Sequence, residues 1–126
     1  MAKKYCDIEN LKYILNEVHD FSSLLDLEHF ADHDAEAIDT FLDSVKDFSD
    51  KELYPCFTEM DSPPAHYKYG KIIVHPQVGK VMKQGGEMGL INATFPYESN
   101  GLQMPLTAFT AAHYIMDAAN NHLPGY

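Results

Sequence analysis

Arginine is absent from this chain, whose 126 residues include nine lysines and nineteen acidic side chains, for a net charge of -10. Arginine is the side chain best shaped to grip phosphate or carboxylate through two parallel hydrogen bonds. A chain without it is not expected to hold a phosphorylated cofactor by itself. The negative balance also argues against nucleic acid and against an anionic membrane surface, because both are bound mainly through Lys and Arg.

Cysteines and long apolar runs are also scarce. Cys6 and Cys56 have no motif spacing, which favours a reduced pair over a disulfide. No apolar run approaches the ~18 residues of a membrane-spanning helix, and residues 1–7 lack the apolar core of a signal peptide. We therefore expect one cytoplasmic domain that does not bind membranes.

Apolar residues recur at helical spacing along most of the chain, which predicts an all-α fold, a bundle of four to five helices. Asp7 and Asp34 are predicted to cap the first and the longest helix. A short helix is predicted over residues 22–30. Pro55 interrupts the longest helix, so a kink is predicted near residues 51–55, with helix resuming to about Met60.

The second half of the chain is predicted to contain a loop over residues 61–76 and two further helices. Residues 71–74 are β-like, but without a second convincing strand nearby they cannot form a sheet. One helix is predicted from Pro76 into the glycines at 85–89. The other runs from Pro105 to Asn120, and because few charges interrupt it we expect it to be buried on most sides.

His29 and His33 have the spacing of two metal ligands on one helix face. However, Asp32 and Asp34 mark a helix boundary at this point, and no further ligand pair completes a four-ligand set. An acidic, solvated turn is the better explanation, and no metal site is predicted.

Three carboxylates, Glu52, Glu59 and Asp61, raise the possibility of acid–base catalysis. Their spacing suits a solvent-facing helix side equally well, and we favour that interpretation. His113 lies on the apolar final helix and is predicted to be a half-buried histidine rather than a base. The chain has no phosphate-binding loop or dinucleotide fingerprint, and no catalytic, cofactor-binding or metal-binding residue is predicted in it.

The order of several short motifs carries a family resemblance. Leu53-Tyr54-Pro55 is followed by Glu59-Met60-Asp61, then by a helix into Gly85-Gly86-Glu87-Met88-Gly89-Leu90-Ile91. Phe95-Pro96-Tyr97-Glu98-Ser99-Asn100-Gly101-Leu102 comes next, before an alanine-rich helix. This series resembles the N-terminal helical domain of the acyl-CoA dehydrogenases. Asn100-Gly101 replaces the family's usual double glycine, and Tyr97-Glu98 its paired acids; because Asn tolerates positive φ, we expect the turn to survive.

The resemblance implies a domain organisation. Residues 1–33 are similar to the extra N-terminal segment of the longer family members, and residues 34–126 would form the helical core. The family's middle β-domain and C-terminal domain would be absent. An untailed end at residues 121–126 favours the interpretation of the chain as a fragment.

The resemblance also implies an activity for the parent protein. Such enzymes use FAD to oxidise an acyl-CoA to the 2,3-enoyl-CoA, and electrons pass to an electron-transfer flavoprotein. The flavin site and the catalytic glutamate would lie beyond this segment, so the fragment alone would be inactive and bind no FAD. The full-length protein is expected to be a homo-oligomer.

By position in the family's fold, this segment would supply one wall of the acyl pocket. The residues implied as substrate-binding lie at the end of the last helix and its exit: Asn120, Asn121, Leu123, Pro124 and Gly125. A structural alternative is that Asn120 and Asn121 cap the helix end while Leu123 packs in the core.

A stand-alone helical interaction module is the alternative function. The apolar final helix and Phe95-Pro96-Tyr97 would then form a docking surface, since exposed apolar patches mark interaction sites.

Overall fold

The computed structural model describes residues 5–125, which are mostly helical. Helix α1 (Ile8–Tyr13) begins where Asp7 accepts a 3.0 Å hydrogen bond from the backbone N–H of Asn10, as predicted. It continues as a wider π-helical turn, Ile14–Val18. The single short helix predicted next is instead helix α2 (Ser22–Leu25) and a 3₁₀ turn, Glu28–Phe30. They are separate because Leu27 is extended, with ψ 134°.

The longest helical path changes geometry three times. Helix α3 (Ala35–Phe48) starts at the predicted Asp34 cap, whose carboxylate accepts a 2.7 Å hydrogen bond from the N–H of Ala37. A π-helical turn (Ser49–Leu53), a 3₁₀ turn (Tyr54–Cys56) and helix α4 (Phe57–Asp61) follow. Pro55 has no N–H to donate, so a regular α-helix cannot pass through it. The predicted interruption is confirmed.

A β-hairpin occupies the middle of the predicted loop 61–76, so the expectation of no sheet was wrong. Strands β1 (His66–Lys68) and β2 (Lys71–Ile73) are antiparallel. Tyr69 and Gly70 join them with φ +51° and +77°. Positive φ at both central residues is typical of a type I′ turn, whose usual signal is Asn-Gly. Tyr at the first position hid the turn from sequence reasoning.

Helix α5 (Gln77–Glu87) contains Gly85 and ends near Gly89, whose φ is +76°. Helix α6 (Leu106–Asn120) follows Pro105. The expectation that α6 is buried on most sides is confirmed in part: nine of its fifteen residues are buried or partly buried, and one side is open to solvent. Several residues on the open side are polar without being charged, so a low number of charges did not reveal this side. The exposed residues of α6 are Leu106, Thr107, Thr110, Tyr114, Asp117 and Ala118.

The connection between α5 and α6 is ordered by its own backbone. The N–H groups of Gln103 and Met104 donate to the carbonyls of Phe95 (2.8 Å) and Ala93 (2.9 Å). Asn100 has φ +57°, so the predicted positive-φ asparagine is confirmed. Gly101 lies so close to the Phe95 carbonyl that a Cβ there would be 1.9 Å from its oxygen. This turn requires glycine at position 101.

One hydrophobic core joins the elements, with α3 and α6 in direct contact at its centre. Cys6, Leu15 and Phe21 of the predicted N-terminal extension are buried in the same core as the helices that follow. Tyr5 packs against this core, and its hydroxyl donates a 2.8 Å hydrogen bond to Asp50. Within residues 5–125, no helix is both long enough and apolar enough to cross a membrane.

Candidate functional site: an apolar cleft between α5 and α6

An open apolar cleft of about 240 Å³ lies beside the core. Three parts of the chain converge on it: the end of α3 with its π-helical turn, helix α5 with the residues after it, and the second half of α6 with its exit. The lining residues are Phe48, Leu53, Val81, Met82, Gly85, Leu90, Ile91, Phe109, His113, Met116, Leu123 and Pro124. Concave, mostly apolar sites of this kind are where small molecules usually bind.

Local sequence explains how the cleft forms. Phe109, His113 and Met116 are spaced at i, i+4 and i+7 on α6, which brings them to one face of that helix. On α5, Val81 and Gly85 are four residues apart and share a face. Gly85 is buried, and its missing side chain leaves space where a Cβ would be 3.8 Å from Leu90.

His113 is the one titratable side chain in the cleft lining. Its half-buried ring lies 4.6 Å, between centroids, from the ring of Phe109. Within residues 5–125 no protein group is hydrogen-bonded to its imidazole. The cleft can therefore hold an apolar group, and His113 can form a hydrogen bond with a polar atom next to that group. The lining contains no carboxylate and no hydroxyl or thiol nucleophile.

Of the five residues implied as substrate-binding, Leu123 and Pro124 line the cleft. Leu123 is also part of the core. Asn121 and Gly125 are exposed and are absent from the cleft lining. The structure therefore brings two of the five to the cleft.

Asn120 is the fifth, and it lies in the core, 1% exposed. Its amide Nδ2 donates a 3.0 Å hydrogen bond to the Leu53 carbonyl, and its Oδ1 accepts a 3.1 Å bond from the N–H of His122. These contacts connect the end of α6 to the π-helical turn after α3. The bond from His122 fits the alternative of a helix-end cap, whereas the bond to Leu53 was not predicted.

Most of the cleft lining was not predicted as a site. No sequence motif singled out Val81, Phe109 or Met116, and His113 was predicted only to be half-buried. The available signal was two apolar helix faces interrupted by a glycine and a histidine, but the sequence does not say that α5 and α6 face each other.

The three carboxylates weighed for catalysis have separate partners. Glu52 accepts from Lys80 at 2.5 Å and from Gln77 at 2.9 Å. The hydrogen bond from Lys80 lowers the pKa of Glu52 below its usual value, although partial burial opposes it. Glu59 lies 3.4 Å from the His75 ring and Asp61 lies 3.6 Å from the His122 ring. They form no shared catalytic group.

The side chain of His33 and the backbone carbonyl of His29 take part in structural hydrogen bonds. The Nε2 of His33 lies 2.9 Å from the Leu102 carbonyl, so it donates there, and Gln103 donates a 2.7 Å hydrogen bond back to the His29 carbonyl. These bonds connect the N-terminal segment to the loop before α6. No group of three or more candidate metal ligands occurs among residues 5–125.

Cys6 and Cys56 are both buried and are not joined in a disulfide, which agrees with the reduced pair predicted from their spacing. Burial raises the pKa of the Cys56 thiol above its usual value. A protonated, enclosed thiol is a poor nucleophile, which agrees with a packing role.

Comparisons with protein-family profiles, with curated proteins and with solved structures find no match to this chain.

Proposed function

We propose that this chain is the N-terminal helical domain of an FAD-dependent acyl-CoA dehydrogenase and that its apolar cleft contributes one wall of the acyl pocket. The observation that carries the proposal is the position of Leu123 and Pro124, two of the residues implied by the family resemblance, in the lining of an apolar cleft. The ordered motif series from Leu53 to Leu102 supports the same class.

The cleft suits the acyl part of such a substrate and not the cofactor. FAD carries a pyrophosphate, and the cleft lining contains no lysine to balance its charge. No residue of this chain is therefore assigned to FAD. In the proposed enzyme the flavin and the catalytic glutamate belong to other domains, and an electron-transfer flavoprotein accepts the electrons.

The test uses the complete product of the gene that encodes this chain. We expect it to be yellow with bound flavin and to oxidise an acyl-CoA with an artificial electron acceptor. A colourless product that oxidises no acyl-CoA would contradict the proposed class.

Replacing Met82 with Trp tests the wall itself. Met82 lines the cleft and is 38% exposed, so a larger ring fills the cleft without entering the core. We expect KM for a long-chain acyl-CoA to rise by roughly tenfold, the loss of about 1.4 kcal/mol of binding. Lys83→Trp is the matched control, because Lys83 is exposed and outside the lining. If the enzyme were yellow and active but its KM were unchanged by Met82→Trp, the cleft would not be a wall of the acyl pocket. The proposed class of enzyme would still stand.

A stand-alone interaction module is the second candidate. The observation in its favour is a series of exposed large apolar side chains between the end of α5 and the start of α6: Ile91, Phe95, Tyr97, Leu102 and Leu106. This candidate predicts a complete gene product without flavin, so the same purification separates the two.

A further inference from the structure

The β-hairpin is the least integrated part of the molecule. All twelve residues from 62 to 73 are exposed, so neither strand packs against the core. A two-stranded hairpin alone is at best marginally stable in water and normally needs a covering surface. Large apolar side chains on it are open to solvent: Tyr67 at 74%, Tyr69 at 90% and Ile72 at 74%.

Charge repulsion is built into the hairpin. The strand register places Lys68 directly opposite Lys71. Like charges at directly opposed positions are destabilising. The structure shows no carboxylate paired with either lysine among residues 5–125. A negatively charged partner on this face would relieve the repulsion.

The tip of the hairpin is also locally unfavourable. Tyr69 has φ +51°, in the left-handed region. Asn or Gly is favoured at this position of a type I′ turn, and a bulky side chain there is an outlier. Strained residues of this kind concentrate at functional sites. The strained conformation places the Tyr69 ring at the tip of the hairpin. The Lys68 ammonium lies 5.2 Å from the centre of this ring.

The rest of the chain has the opposite charge. Residues 62–86 contain four lysines and no acidic residue, whereas residues 13–45 contain nine acidic residues and no lysine. Eight of these nine acidic residues are exposed, and Asp39 is partly buried. One copy of this chain therefore carries both a basic, aromatic hairpin and an acidic surface made of the carboxylates of residues 13–45, of which Asp39 and Asp43 already pair with Lys12 of the same copy.

We propose that the hairpin, residues 66–73, is a docking element that binds the acidic surface of residues 13–45 on a second copy of this chain. Lys68 and Lys71 would face carboxylates of the second copy, while Tyr67, Tyr69 and Ile72 supply apolar contact area. Aromatic residues are enriched at interface centres for this reason. The inference does not depend on the proposed function.

Sedimentation velocity of the 126-residue chain measures the association. We expect dimers at ~0.05 M salt that weaken at ~0.5 M, because salt screens exposed charges. The double variant Lys68→Glu/Lys71→Glu is expected to be monomeric at both salt concentrations. Lys51→Glu/Lys83→Glu is the matched control: it changes the net charge equally, lies outside the hairpin, and is expected to dimerise. Circular dichroism checks that each variant is folded.

A charge swap identifies the surface on the second copy. Glu17→Lys/Glu28→Lys reverses two exposed carboxylates of the acidic surface and is expected to abolish self-association. Mixed with Lys68→Glu/Lys71→Glu, it is expected to restore dimers that neither variant forms alone. The proposal would be overturned if either variant alone dimerised as strongly as the original chain. It would also be overturned if the mixture of the two stayed monomeric.

Tyr69→Asn separates docking from folding. Asn fits the left-handed position better, so we expect unchanged or higher thermal stability together with roughly tenfold weaker dimerisation. An original chain that is monomeric in low salt at millimolar concentration overturns the proposal, even if it binds an unrelated acidic protein or polyanion.

Discussion

At the scale of single residues, Asn120 makes the most consequential polar contacts in the core. Its amide bonds the Leu53 carbonyl at 3.0 Å, and its nitrogen also lies 3.4 Å from the Met60 sulfur and 3.6 Å from the Cys56 sulfur. Leu53 ends the π-helical turn, where regular backbone pairing is interrupted before Pro55. A buried carbonyl without a partner is costly, and the Leu53 carbonyl has two donors, the Asn120 amide and the Cys56 thiol at 3.2 Å.

Replacing Asn120 with Ala is expected to lower the free energy of unfolding by about 1–3 kcal/mol, because the buried Leu53 carbonyl loses a hydrogen-bond donor. Urea unfolding followed by circular dichroism measures the change. Asn121→Ala is the matched control, since Asn121 is adjacent and exposed, and its effect should stay within about 0.5 kcal/mol. Equal effects of the two substitutions would contradict the role given to Asn120.

Sequence reasoning succeeded at residues whose local chemistry is self-contained. The Asp7 and Asp34 caps and the left-handed Asn100 depend on a few neighbouring atoms, and all three were predicted. Asn120 was predicted to contact substrate or to cap a helix. Its bond to Leu53 joins positions 67 residues apart, and a contact at that separation has no local signal.

At the scale of elements, the connection between α5 and α6 depends on close backbone approach. The Phe95 carbonyl accepts a hydrogen bond from Gln103 at 2.8 Å while passing directly beside Gly101. Leu102 lies close to Gly89, where a Cβ would be 2.8 Å from its side chain. Glycine at these positions lets the connection fold tightly enough to set the start of α6.

Gly101→Ala is expected to destabilise the protein by more than about 3 kcal/mol, because its Cβ would be 1.9 Å from a backbone oxygen and the backbone must move. Thermal unfolding measures the loss.

Gly79→Ala is the matched control within α5, where no atom lies within 4 Å of the added methyl group. Alanine favours a helix interior over glycine, so we expect a gain of about 0.5–1 kcal/mol. A neutral Gly101→Ala would show that the connection adjusts freely.

At the scale of the whole molecule, ion pairs connect segments that are distant in sequence. Lys12 lies 2.8 Å from Asp43, connecting α1 to α3, and Glu52 lies 2.5 Å from Lys80, connecting the π-helical turn to α5. The second pair adjoins the cleft, because Glu52 precedes Leu53 and Lys80 precedes Val81. The position of α5 against the core therefore depends partly on an ionised Glu52.

This pair predicts a stability change in acid. The pKa of Glu52 is lowered in the folded state by the hydrogen bond from Lys80. Its contribution is therefore complete above the unfolded pKa of about 4.3 and is lost as pH falls through the folded pKa. Glu52→Gln is expected to make the unfolding free energy less dependent on pH below about pH 5, as measured by urea unfolding.

Glu17→Gln provides the comparison, because Glu17 is exposed and the structure describes no hydrogen bond to its carboxylate. Glu17→Gln should leave the pH dependence of the unfolding free energy in acid unchanged. If both substitutions reduced that pH dependence equally, the overall charge rather than the Glu52–Lys80 pair would be its cause.

The sequence alone determined the helical class, the interruption at Pro55 and most helix boundaries. These follow from the spacing of apolar residues, from N-cap residues and from proline and glycine, each of which acts within about ten neighbouring residues. The hairpin was missed because a tyrosine occupies its positive-φ turn position, and the open side of α6 because apolar composition does not specify a neighbour. Only the tertiary structure brings Gly85 of α5, His113 of α6 and Leu123 to one cleft. Residues of different helices converge through helix packing, which no single segment encodes.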